Sequence, residues 1–197
     1  MQGWNVLVAT LAAYALGCIS TAYYIVRVLK GQDIRTLGSG NAGGRNAGRV
    51  LGRGGFAAVA VLDAVKGLAA VLLARWLQVP EWGMVAVLLA VVAGHIWPVQ
   101  LGFRGGKGIA TTLGALLTYN WPVPFMLVGI MLLLYALLRS ITLALMAAFA
   151  LLPLLLLALG WTLEPVVACA ALAVIVIYAN RSNILARLPG RARTDAS

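Results

Sequence analysis

Apolar runs dominate this chain, and polar residues gather in a few short intervals between them. Met1 to Val26 carries no charged residue. Gly31 to Arg53 is a polar interval with Arg35, Arg45, Arg49 and Arg53. Gly54 to Leu73 is apolar again except for Asp63 and Lys66, and Trp82 to Val99 forms a third run. Gly108 to Leu138 has no charge and is too long for one helix; Tyr119-Asn120-Trp121-Pro122 divides it with a proline and interfacial aromatics. Ile141 to Gly160 and Pro165 to Ala179 complete the series. A spanning helix needs roughly 20 residues. The pattern therefore predicts an all-α integral membrane protein with seven transmembrane helices, organised as a single domain over residues 1–197. The fourth helix is short if it starts after Gly105-Gly106-Lys107-Gly108. Either it begins inside that run, or the run dips into the headgroup layer, where irregular backbone must be covered by protein or line a wet cavity.

Composition agrees with the pattern. Hydrophobic residues make up 62% of the chain and charged residues 10%, with a mean hydropathy of +0.97; soluble domains are nearer half apolar. The first run is too long for a signal peptide, starts without a positive charge and shows no cleavage pattern, so it reads as a retained helix. The net charge is +10. Of the 15 basic residues, all but Lys66 and Arg75 fall in the first, third and fifth intervals or in the tail. That bias puts the N-terminus outside and the C-terminus in the cytoplasm. It also explains the positive charge without nucleic acid. Three segments then face the cytoplasm: about 31–53, about 100–108 and the tail 180–197. Cys18 and Cys169 lie in apolar runs without His or Cys neighbours. They read as packing residues, and no metal site is expected.

Two glycine-rich cationic segments carry the candidate chemistry. In Ser39 to Asn46, the residues Ser39, Gly40, Asn41 and Gly43 favour a tight backbone that turns N–H groups toward an anion, and Arg45 and Arg49 add bidentate donors. The competing reading is an ordinary cytoplasmic loop, basic for topology alone. In Gly94 to Thr111, the Gly105-Gly106-Lys107-Gly108 run opens the fourth helix, whose N-terminus offers free N–H groups, with Thr111 and Thr112 one turn on. The spacing is not that of a Walker A loop, and a flexible interfacial turn is the plain alternative. His95 is the one histidine, open to reading as a base, a phosphate donor or a structural hydrogen-bonder. Asp63 and Lys66, at i and i+3, neutralise each other within the membrane or mark an ion path. At the end of the last helix, Asn180, Arg181 and Asn183 either complete the cytoplasmic site or simply end the helix. No Ser-His-Asp or Cys-His arrangement is present, nor the H-x₄-D element of many acyl-CoA acyltransferases.

These segments resemble the bacterial membrane-bound glycerol-3-phosphate acyltransferases that use acyl phosphate, the PlsY family. The pattern G-S-G-N-x-G-x-x-N-x-x-R is met by Gly38, Ser39, Gly40, Asn41, Gly43, Asn46 and Arg49. The pattern G-H-x-x-P-x-x-x-x-F-[KR]-G-G-K-G-[VI]-A-T is met at every specified position from Gly94 to Thr111. Leu62-Asp63 and Lys66-Gly67 match a further element, and Asn183 to Leu188 approximates the terminal N-I-x-R-L-x-x-G with one extra residue. The resemblance covers nearly the whole chain. It implies acyl transfer from acyl phosphate to the sn-1 hydroxyl of glycerol 3-phosphate, giving lysophosphatidic acid and phosphate, the first step of phospholipid synthesis. No cofactor, metal, acyl-CoA or acyl carrier protein is implied, and the site would face the cytoplasm from the bacterial plasma membrane.

Carried over by position, the resemblance implies that Ser39, Arg49, Lys107 and Asn183 are catalytic and hold the two phosphates. The substrate-binding set is Gly40, Asn41, Gly43, Arg45, Asn46, His95, Arg104, Gly105, Gly106, Thr111, Thr142 and Asn180, with Asn46 and His95 ordering the loops or the acceptor. The chain departs from the family at four places. Arg45 replaces the usual Thr, and Asn180 replaces a His. Cys18-Ile19-Ser20 lacks the usual Pro, and Arg191 follows Gly190 where an acidic residue is usual. Arg45 and Asn180 motivate an alternative, a paralogue that acylates another acceptor. A non-enzymatic transporter of anionic lipid is a further alternative, though spans five and six are almost devoid of the polar groups it would need.

Overall fold

The computed structural model describes residues 2–187, and every regular element among them is helical. The helices are α1 (Gln2–Cys18), α2 (Thr21–Lys30), α3 (Gly44–Trp76), α4 (Glu81–Ile96), α5 (Ile109–Tyr119), α6 (Pro122–Leu138), α7 (Ile141–Ala158), α8 (Leu163–Ala179) and the short α9 (Arg181–Leu185). Single 3₁₀ turns form at Ile34–Thr36 and Val99–Leu101. Among the described residues, four segments are long and apolar enough to cross a membrane: Gln2–Lys30, Gly44–Trp76, Glu81–Leu101 and Ile141–Ala158. Ile109–Tyr119, Pro122–Leu138 and Leu163–Ala179 are apolar but shorter. The apolar segments therefore follow the expected series, while α5 is only 11 residues long.

Two boundaries differ from the sequence reading, each for a local reason. The first run is not one helix. It breaks at Ile19-Ser20 and restarts as α2, which ends at Lys30 with Gly31 in the left-handed region (φ 67°) and Arg27 and Lys30 in its last turn. The polar interval 31–53 is irregular only as far as Gly43. From Gly44 the chain is helical, and a kink at Gly52 (φ 77°) separates a basic first section from the apolar remainder of α3. The helix starts early because its first turns have a core to pack on: Ala47 joins Ala22, Val26, Ile34, Ala42 and Val59, with Val50 and Leu51 alongside. Of the two alternatives for the fourth helix, the short one is found: α5 begins at Ile109, after the Gly105–Gly108 run, and Gly108 itself is left-handed (φ 82°).

The chain divides into two compact units, one ending at Tyr119 and the other beginning at Asn120. In the first, α1 packs on α4 and α3, and α3 packs on α5. Small residues bring these backbones together. A Cβ on Gly17 of α1 would stand 3.1 Å from the Gly94 Cα of α4, and one on Gly67 of α3 would overlap the Thr111 carbonyl of α5. In the second unit, α6 packs on α7 and α7 on α8. Ser140 caps α7 through its hydroxyl, which accepts from the Leu143 N–H.

Candidate active site

The loop between α2 and α3 is held from within. Asp33 opens the Ile34–Thr36 turn, its carboxylate accepting from the Arg35 backbone N–H at 2.9 Å. The Arg35 guanidinium donates back to the same carboxylate, with Nη2 at 2.7 Å and Nε at 3.0 Å. These hydrogen bonds hold the Asp33 carboxyl below its ordinary pKa and raise that of Arg35 in turn. Arg35 Nη1 then reaches the Leu101 carbonyl at 2.6 Å, tying this loop to the turn that follows α4.

Asn46, on the first turn of α3, organises the rest of the loop. Its Nδ2 donates to the carbonyls of Ile34 (3.1 Å) and Leu37 (2.9 Å), and its Oδ1 accepts from the Ser39 N–H (2.8 Å). The side chain is 1% exposed. Gly38 and Gly40 are both left-handed, which lets the chain turn around this amide. Ser39, Arg45 and Arg49 remain exposed at the surface. The stem of Arg49 lies close to Gly38, where an added Cβ would stand 3.8 Å from the Arg49 Cβ.

The second glycine-rich segment meets the first. The Gly105 carbonyl accepts from the Ala42 N–H and from Asn41 Nδ2, both at 3.3 Å. Gly43 faces Gly106, its missing Cβ 3.7 Å from the Gly106 Cα. The segment also folds back on the end of α4, where the Gly105 N–H donates to Ile96 and the Gly106 N–H to His95, each at 3.0 Å. Tyr14 pins the same corner from α1, its hydroxyl donating to the Trp97 carbonyl at 2.8 Å. Lys107 is half-buried and Arg104 exposed.

Beneath this junction lies a buried polar cluster. Lys66 Nζ is 3.0 Å from Asp63 Oδ1 and 2.8 Å from His95 Nδ1. It donates to the carbonyls of Gly17 (3.1 Å) and Ile19 (2.8 Å), which the break between α1 and α2 leaves without helical partners. Thr21, the first residue of α2, donates its hydroxyl to Asp63 at 2.7 Å. The cation therefore sits at the carbonyl end of α1 and the anion at the amide end of α2, each where a helix dipole favours it.

Comparison with known proteins bears on what this junction is. A family model described as glycerol-3-phosphate acyltransferase matches residues 7–190. Glycerol-3-phosphate acyltransferase 1 of Desulfitobacterium hafniense is 41% identical over 88% of this chain and 86% of its own length. The glycerol-3-phosphate acyltransferase of a Synechococcus strain is 42% identical over 96% and 94%. The chain belongs to the glycerol-3-phosphate acyltransferase family. It is an acyltransferase. The crystal structure of PlsY, an integral membrane glycerol 3-phosphate acyltransferase, in its glycerol 3-phosphate form superposes with a TM-score of 0.83 at 34% identity, covering 94% of this chain and 93% of that one. Its lysophosphatidic acid form gives 0.80 at 31%.

Within this family member, the structure brings Gly40, Asn41, Gly43, Asn46, Gly105, Gly106 and His95 into one hydrogen-bonded junction, with Ser39 held on it by its backbone. Thr111 stands apart. It is fully buried where α3 meets α5, and its hydroxyl has no hydrogen-bond partner among the described residues. Asn180, Asn183 and Thr142 belong to the second unit. Asn180 is buried at the end of α8, donates to the Val176 carbonyl at 2.8 Å and takes a long contact of 3.5 Å from Asn183. Thr142 is buried on the first turn of α7. The expected tail 180–197 is described only as far as Arg187; Leu188, Gly190, Arg191 and Arg193 lie outside the described residues.

Sequence reasoning missed the role of Arg35, which counted only toward topology, although Asp33-x-Arg35 is an acid–base pair at turn spacing. It named His95 but not the side chain beside its ring, Asp63, whose Oδ1 is 3.5 Å from Nδ1. The available signal was the pair of ions inside an apolar run, which require polar company.

Proposed function

We propose that this acyltransferase moves a fatty acyl group from acyl phosphate to the sn-1 hydroxyl of glycerol 3-phosphate. The observation that carries the reading is the junction of two glycine-rich basic segments at the Gly105 carbonyl. In this reading the junction's backbone N–H groups and the cations Arg49 and Lys107 serve to bind anions. Support also comes from the likeness to PlsY in its glycerol 3-phosphate form. In this reading the hydroxyl oxygen attacks the acyl carbon, the bond from that carbon to the phosphate oxygen breaks, and phosphate leaves with the hydroxyl proton. The donor is already activated, so positioning and charge stabilisation supply the catalysis. Ser39, Arg49 and Lys107 of the first unit bind phosphate in this reading, and the family resemblance assigns Asn183 of the second unit the same role. Arg45 and Arg104 add positive charge near the surface, while Asn180 supports Asn183.

The chain acts as one domain of seven spans in the bacterial plasma membrane, with the junction facing the cytoplasm, as the distribution of basic residues supports. It requires no acyl-CoA, acyl carrier protein, metal or cofactor. Phosphate release by the purified protein from palmitoyl phosphate, with and without glycerol 3-phosphate, tests the reading. Acceptor-dependent release with lysophosphatidic acid formed is the expected result. Release that ignores glycerol 3-phosphate but responds to another acceptor would move the chain to a paralogous activity.

A further inference from the structure

The buried cluster determines more than the bracing of α1, α3 and α4. Lys66 Nζ has Gly17 O, Ile19 O and Asp63 Oδ1 at 2.8–3.1 Å. The two carbonyls and the Asp63 carboxylate are acceptors, so Lys66 meets them as an ammonium. An ammonium has no lone pair, so His95 Nδ1, 2.8 Å from it, cannot donate to it and presents its own lone pair instead; three protons are then shared among four acceptors. Asp63 would favour a proton on Nδ1, but at 3.5 Å it is outside good hydrogen-bond range while Lys66 is within it. The ring proton belongs on Nε2.

The other edge of the imidazole lies against the second glycine-rich segment. A Cβ on Gly106 would collide with Nε2 and stand 2.6 Å from Cε1. The Gly106 N–H already donates to the His95 carbonyl. Nε2 is thus delivered to the backbone that carries Lys107.

We propose that Lys66 is a positioning residue that fixes His95 in its Nε2–H tautomer, making His95 a hydrogen-bond donor to a phosphate at the Gly105–Lys107 segment and not a proton-accepting base. The choice of phosphate as ligand rests on the acyltransfer reading above; the tautomer does not.

His95 is the one histidine of the chain, so ¹⁵N-histidine labelling of the full-length protein in detergent gives a single ring to observe. The expected spectrum has a lone-pair-bearing Nδ1 and a protonated Nε2. A protonated Nδ1, as the opposite tautomer or as imidazolium, overturns the proposal. Lys66→Met should raise the Nδ1–H population as Asp63 takes over that edge. An unchanged tautomer in a folded variant overturns the role of Lys66, and if the variant does not fold, the wild-type spectrum still decides the tautomer. Saturating glycerol 3-phosphate should shift the Nε2 resonance. Turnover with no such shift removes the donor role alone. The expected tautomer in a protein that never releases phosphate would instead remove the acyltransfer reading alone.

Discussion

The side-chain oxygen of Asn46 accepts a hydrogen bond from the backbone N–H of Ser39 at 2.8 Å, while its amide holds two carbonyls of the preceding turn. One buried residue on α3 thereby sets the course of the whole first loop. Asn46→Ala strands three backbone groups, and each unpaired buried group costs about 1–3 kcal/mol. A fall in thermal midpoint together with a KM for glycerol 3-phosphate raised tenfold or more is expected. Asn46→Asp keeps the acceptor but faces two carbonyls without a donor, so it should rescue little. Steady-state kinetics beside a melting curve checks both variants.

Gly106 leaves no room for a side chain because the His95 ring occupies that space. Gly106→Ala forces the ring or the segment aside. A displacement near 1 Å at a catalytic site lowers turnover on the order of 100-fold. The expected signature is loss of turnover in a protein that still melts cooperatively; near-normal kinetics would show that the segment is not part of the site.

Arg49 and Lys107 are proposed to bind phosphate. Charge-assisted hydrogen bonds contribute about 1.5–3 kcal/mol each, so Arg49→Ala and Lys107→Ala should each weaken glycerol 3-phosphate or acyl phosphate use by about 10- to 100-fold. Arg49→Lys should recover only part, because it lacks the bidentate fork. Full turnover and acceptor affinity in Arg49→Ala would sink the assignment.

Asp33 supplies a pH test. Its carboxyl is held below the ordinary range by Arg35, so the unfolded chain binds more protons in the acid range than the folded one. The stabilisation is present above the unfolded value of about 3.9 and disappears as pH falls through the folded value. The melting gap between wild type and Asp33→Asn should stay level from about pH 5 to 8 and close below about pH 4. The gap is small, about 1 kcal/mol or less, because the pair is partly solvated. A gap that widens toward acid would contradict the pairing.

The Asp63–Lys66 pair is buried, and removing one partner leaves a charge uncompensated. Asp63→Asn should destabilise by about 3–5 kcal/mol. Replacing both, with Asp63→Leu and Lys66→Met, should destabilise less than the sum of the single changes. Melting of the four proteins forms a double-mutant cycle; strict additivity would mean that the two side chains act independently.

The helical class and the order of the apolar segments were legible from hydropathy, because lipid admits long uncharged helices and few other structures. The two glycine-rich segments were legible too, since glycine and arginine at that density serve few purposes inside a membrane protein. Two boundaries were not. The α1–α2 break leaves no mark in a run without charge, and the early start of α3 depends on a small core that only the folded loop creates. The start of α5 was left open between two alternatives, and the bonding of Gly105 and Gly106 back to α4 accompanies the short one.

Residue types and spacing by themselves determined that this chain is a helical membrane protein with two glycine-rich basic segments, and their resemblance to one family pointed to acyl transfer. Periodicity and composition are local properties, and a membrane enforces them strictly. Tertiary structure alone decided that Asn46 ties down Ser39, that Arg35 joins two loops through Leu101, and that Lys66 of α3 meets His95 of α4 at the carbonyls of a broken α1. Those contacts join residues 7 to 66 positions apart. No local pattern encodes them; they exist because the close approach of small residues brings distant backbones together and obliges buried polar groups to find one another.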